Sequence, residues 1–129
     1  MNNIPVFFSD SLVADAQSFS PSPRKPALVV ASWQTLDIPV AINSPTPASI
    51  EELCLAHDSL YVSGVLQCVT NNGFGNKLPS VAESLPFTSG AFISASREAI
   101  SNGEVAIAPV SGFHHACYNR GGGFCTFNG

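Results

Sequence analysis

Apolar residues fall in short bursts along this chain, separated by polar, proline-rich or glycine-rich stretches, and the bursts alternate between strand-like and helix-like spacing. Residues 4–8, Ile-Pro-Val-Phe-Phe, form a continuous apolar run closed by Ser9 and Asp10, the pattern of a short buried strand. Residues 11–23 turn polar and rich in Ser and Pro and predict a surface loop. Pro26 suits the first turn of a helix, where its missing N–H would have had no partner, and Ala27, Val30, Ala31 and Trp33 carry an apolar face on to Leu36. A second apolar run at 39–42 leads into the turn-forming stretch 43–49.

Ser49 and Glu52 stand three apart, the spacing at which a hydroxyl and a carboxylate satisfy free amides at a helix start, so a short helix through Leu55 is predicted. Leu60, Val62, Val65, Leu66 and Val69 predict another helix over 59–69. Asn71, Asn72, Gly73, Gly75 and Asn76 resist regular structure. The clearest helical signal covers 88–100, where Ala91, Phe92, Ala95 and Ala99 repeat at helical spacing and Gly103 offers a left-handed stop. Residues 105–108 are a further strand candidate. Strands separated by helical segments favour parallel pairing with both sheet faces covered, so the expected class is α/β.

A chain of 129 residues, 45% apolar and 11% charged, suits one globular domain and argues against disorder. The net charge of -4, with no basic run beyond Arg24 and Lys25, gives no electrostatic reason for a nucleic acid or an anionic membrane as partner. No apolar run approaches the roughly 18 residues of a membrane span, and the first residues lack the basic region of an export signal. Cys54, Cys68, Cys117 and Cys125 include no CxxC pair and fit reduced thiols, so the cytoplasm is the expected compartment.

The chemistry gathers in residues 109–129. Gly112, Phe113, His114, His115 and Ala116 are followed by the six-residue spacer 117–122, then Gly123, Phe124, Cys125 and, two residues later, Asn128. This segment resembles the His-His motif of the zinc-dependent histone deacetylase and acetylpolyamine amidohydrolase superfamily. Upstream, residues 51–62 resemble the family's Glu-Leu, His and Tyr-Val pattern, and the loop around Asn76 followed by Thr88-Ser-Gly-Ala resembles the approach to that motif. Residues 21–26 depart from the family's His-Pro-Glu-Arg type run.

The resemblance implies a partial arginase/deacetylase-type parallel sheet flanked by helices, with 1–129 as the N-terminal part of a deacetylase-like domain. Hydrolysing an amide needs a base for the attacking water, an acid for the leaving amine and stabilisation of the oxyanion, and imidazoles near their titration point suit the proton transfers. By the resemblance His114 and His115 are that catalytic pair. Gly123 lends backbone to the substrate amide, Phe124 walls the channel around the acyl-amine stem, Asn76 stands near the position that grips substrate backbone, and Cys125 sits near the floor. His57 is expected as a structural histidine at a helix junction.

The family's zinc ligands, two Asp and one His, follow this motif. Here Asp10, Asp15, Asp37 and Asp58 all precede it, no carboxylate side chain follows Glu104, and Tyr118 lies inside the spacer, away from the place of the family's oxyanion-polarising Tyr. A zinc site on His114, His115, Cys117 and Cys125 is a rival reading, but adjacent side chains diverge and the spacing matches no common closed site. The expectation is therefore a chain that carries no zinc ligands and is inactive alone. It would act on acetylated lysine or polyamine only with its missing half present, and the apolar sheet and helix surface left uncovered predicts a homo-oligomer, a complementing polypeptide or a longer product. The alternative is a non-catalytic interaction or oligomerisation module.

Overall fold

The computed structural model describes residues 3–129. The sheet is built on β1 (Ile4–Phe7), whose Val6 is fully buried. Strand β2 (Val40–Asn43) pairs with it in parallel, from Ile4 opposite Val40 to Phe7 opposite Asn43. On the other side of β1, the predicted strand at 105–108 shrinks to one parallel bridge at Ile107. The Ile107 N–H donates to Pro5 O at 2.8 Å, and Ile107 O accepts from Phe7 N at 2.8 Å. The rungs on either side fall on the nitrogens of Pro5 and Pro109, which carry no hydrogen, so the ladder cannot extend.

Helix α1 (Lys25–Thr35) starts where Pro26 predicted, but it buries only Pro26 and Val30, leaving Leu28 and then Leu36 exposed. The capping box at α2 (Ile50–Leu53) forms as expected. Ser49 Oγ accepts from Glu52 N at 3.1 Å, and Ser49 N donates to Glu52 Oε2 at 3.0 Å. Helix α3 (Ser59–Leu66) begins on an Asp58 side-chain cap and ends three residues short of the predicted 69. Cys68, at φ 58°, takes the left-handed position usually held by glycine. From there Cys68 N turns back to Val65 O at 3.0 Å and Val69 N to Gly64 O at 2.8 Å, which satisfies carbonyls left free by the last turn.

Helix α4 (Pro79–Asn102) is nearly twice the predicted 88–100. Its cap residue Leu78 makes no side-chain cap bond, and Pro86 stands in the interior, so the sequence carries no start signal beyond Pro79. Its far end matches the reading, with Gly103 at φ 70° and its N–H on Ala99 O at 3.0 Å. Helix α4 packs on β1 and on the 3-10 turn Asp10–Leu12. At its middle it crosses the loop before α2 at backbone contact. Ala48 N donates to Pro86 O at 2.8 Å, and a Cβ at Gly90 would collide with Thr46 O. The main apolar cluster joins Ala48, Leu53, Tyr61, Val62, Val65 and Phe127, so the end of the 109–129 segment is itself core. Among the described residues no helix is long and apolar enough to cross a membrane.

Candidate functional site

Residues 113–125 are a run of tight reversals. Ala116 N donates to Phe113 O at 3.1 Å, so His114 and His115 occupy the two central positions of a turn, both exposed, with ring centroids 4.1 Å apart and planes at 44°. Cys117 N donates to Arg120 O at 2.9 Å in a second reversal. The third is a two-residue hairpin closed in both directions between Gly122 and Cys125, at 3.0 and 2.9 Å, with Gly123 at φ 54° and Phe124 at φ 63°. Two positive central φ values are the mark of the type I′ turn that matches strand twist.

Glycine adopts that conformation freely and phenylalanine does not; the left-handed region costs a bulky residue on the order of 1–2 kcal/mol. What the strain secures is the aim of a ring. Phe124 N donates to Gly73 O at 3.0 Å, and its ring stands edge-on to Phe19 at 5.2 Å and tilted against Phe74 at 6.0 Å. Gly123 lies directly against the imidazole of His115, since a Cβ there would come within 2.9 Å of His115 Cγ and Cδ2. The fold thus brings His114, His115, Gly123 and Phe124 together. Beside the Phe124 ring lies a cleft of about 40 Å³ also lined by Pro26, Phe74, Leu85 and Phe113.

Asn76 is placed differently. Its Oδ1 accepts from Asn72 Nδ2 at 2.8 Å and from Leu78 N at 3.2 Å, while its Nδ2 donates to Ala16 O at 2.9 Å. The side chain is occupied in closing its own loop. Cys125 is buried with its thiol directed at Gly123 O, 3.4 Å away, and exposed Cys117 turns toward His115 O.

The residues that hold this segment in place sit at the start of α3, where sequence reasoning expected a structural His57 at a helix junction but named no partner for it and gave Tyr61 no role. His57, only 2% exposed, accepts from Asn128 N at Nε2, 2.8 Å away, and its Nδ1 lies 3.1 Å from Tyr118 O. Asp58 N donates to the same Tyr118 carbonyl at 3.0 Å. Tyr61 donates its hydroxyl to Thr126 O at 2.7 Å, and Thr126 Oγ1 accepts from Gly73 N at 2.9 Å. Burial, reinforced by the nearby Cys117 sulfur, pushes the Tyr61 phenol up to about 12, so the hydroxyl stays a donor at neutral pH. The available signal was the four-residue spacing of His57 and Tyr61, which puts two aromatic groups on the same side of the helix start.

The family model of the histone deacetylase domain matches residues 22–129, most of the chain. The chain belongs to the histone deacetylase domain family. In fold it is similar to the solved HDA15 HD domain, with a TM-score of 0.80 and 19% identity; the match covers 99% of this chain and 41% of that one. The chain therefore spans well under half the length of that relative. No curated protein matches it.

Histone deacetylase domains are in general zinc-dependent, and the donor set here does not fit that metal. Among the described residues no three His, Cys, Asp or Glu side chains come together as a metal group. Both thiols near the histidine pair are turned toward carbonyls, and the third histidine has its two nitrogens engaged by backbone.

Proposed function

We propose that this chain supplies the proton-transfer and substrate-gripping half of a deacetylase site acting on an acetylated lysine or an acetylated polyamine. The observation that carries the reading is the seating of His115 on Gly123 beside a Phe124 held at positive φ. One imidazole of the pair takes a proton from the attacking water and the other returns one to the leaving amine, a division that two neighbouring imidazoles serve well. Phe124, with Phe19 edge-on to it, forms a wall that admits a slim acyl-amine stem and keeps water off it. Gly123 offers backbone to the substrate amide, and buried Cys125 underlies the turn. Asn76 serves by fixing the loop that receives Phe124 rather than by gripping substrate with its amide.

The zinc ligands are proposed to come from sequence outside these 129 residues, on the same or on a second polypeptide, so the chain alone is inactive. An apolar groove of about 280 Å³ lined by Leu53, Leu55, Phe92 and Ile93, with Gly129 at its edge, supports a seat for that remaining part of the deacetylase fold. The part of the HDA15 domain left unmatched is large enough to fill it. Four free cysteines support a reducing compartment such as the cytoplasm.

The test is hydrolysis of an acetyl-lysine peptide with added zinc, by the chain alone and mixed with a polypeptide carrying the unmatched part of the HDA15 domain. The expected result is no turnover alone and turnover in the mixture, abolished by His114→Ala or His115→Ala. Robust turnover by the chain alone, or a mixture indifferent to both substitutions, would overturn the proposal. Light scattering on the chain by itself distinguishes a homo-oligomer, the other way of covering the groove.

A further inference from the structure

We infer that His57 is a positioning residue of this site: its two ring nitrogens close the neck of the 118–128 loop and so fix where His115, Gly123 and Phe124 stand. Its catalytic meaning rests on the deacetylase reading above, whereas its geometry does not. Because Nε2 accepts from Asn128 N at 2.8 Å, the neutral ring carries its proton on Nδ1 and donates it to Tyr118 O at 3.1 Å. Residues ten apart in the chain are thereby drawn to opposite edges of one imidazole. Asn128 Nδ2 adds a second tie across the same neck, donating to Ala116 O at 3.2 Å. Within the loop so closed lie Arg120, the Gly123–Phe124 hairpin and Cys125, and His115 stands just outside it, packed on Gly123.

The ring cannot swing away from this task. Phe127 and Tyr61 lie against it with centroids at 5.4 and 5.7 Å, and Tyr61 holds the loop once more through Thr126 O. Imidazole is also the side chain that the place demands. It presents a donor and an acceptor on different edges of one rigid plane, whereas Asn and Gln carry both at one tip and Lys and Arg have no acceptor at all. Phenylalanine would fill the volume but take away the acceptor of the Asn128 N–H, and with it the tie at that side of the neck. His57 touches no substrate position, so its contribution is to hold the hairpin and, through Gly123, the ring of His115.

The experiment uses the whole chain with His57→Phe and His57→Gln, reading amide hydrogen exchange residue by residue and the ring resonances of His114 and His115. In His57→Phe, the mutually bonded amides of Gly122 and Cys125 should exchange about tenfold faster or more. The His115 ring signals should move at the same time, while amides in the middle of α4 keep their protection. In His57→Gln the side-chain oxygen takes the place of Nε2 and should restore much of the protection at the neck. Uniform acceleration everywhere, α4 included, would reduce His57 to a general core residue and overturn the inference, as would unchanged exchange in the loop. If His57→Phe does not fold, nitrogen shifts of the unaltered protein decide: a protonated Nδ1 and bare Nε2 support the clasp, and the reverse tautomer removes it. Failure of the mixed hydrolysis assay leaves these readouts untouched, so the two ideas can fall separately.

Discussion

A single methyl group at position 123 discriminates between packing and coincidence as the reason His115 stands where it does. In Gly123→Ala the new side chain must accept φ 54°, a left-handed conformation that costs alanine about 1–2 kcal/mol. It must also stand 2.9 Å from His115 Cγ and Cδ2 and 3.1 Å from His115 Cβ, closer than side chains tolerate. His115 is exposed, so the imidazole gives way before the backbone does, and the clash shows more in ring position than in stability. Gly122→Ala is the control, because a Cβ there meets open space, and it should change stability by no more than about 0.5 kcal/mol. Urea unfolding should lower the Gly123→Ala midpoint by on the order of 1 M, the conformational cost divided by a denaturant slope of about 1–3 kcal/mol/M. The His115 ring resonances should shift in Gly123→Ala and stay fixed in Gly122→Ala. Equal midpoints for the two variants, or an unmoved His115 in the first, would refute the reasoning.

Two further outcomes concern pH. The folded Tyr61 phenol sits near 12 against an ordinary 10.0, so its stabilising contribution is complete below pH 10.0 and is lost as pH rises through about 12. Tyr61→Phe should cost about 1–3 kcal/mol at neutral pH by stranding Thr126 O, and should flatten the alkaline loss of stability in denaturant titrations. At the acid end, the Ser49 N–H first and then Arg97 hold the Glu52 carboxyl below its ordinary 4.5. Its contribution is therefore present above that value and disappears as pH falls through the lowered one, a slope that thermal melts should show for the unaltered chain and not for Glu52→Gln.

Where local chemistry sets a boundary, the sequence was readable. Ser49 and Glu52 build their reciprocal cap, Gly103 stops α4 in the left-handed region, and β1 follows its unbroken apolar run. The early end of α3 is a local matter, a left-handed Cys68 where no glycine announced it, whereas the other misread boundaries were decided by packing against segments far along the chain. Pro79 opens α4 with no side-chain cap, and the helix continues past Pro86, packed on β1. The strand at 105–108 fails because the prolines that block its rungs sit on two different segments. The candidate site divides in the same way. His114, His115, Gly123 and Phe124 stood out through the resemblance of residues 112–128 to the family motif, and the fold gathers them. Of its supports only a structural His57 was expected, and its partners were not legible, because its bonds reach 61 and 71 residues ahead and no periodicity announces contacts of that range.

The crossing of the loop before α2 over the middle of α4 has a kinetic corollary. Ala48 hangs from the Pro86 carbonyl, Gly90 leaves no room beneath Thr46, and Arg97 reaches across to Glu52 at 2.7 Å, so the two segments are fastened at successive points along one seam. The groove that opens beside that seam is therefore walled by segments already tied to each other at the backbone. On the proposed reading, a segment docking there would meet a berth already shaped, and its association should be paced by collision geometry more than by rearrangement of this chain.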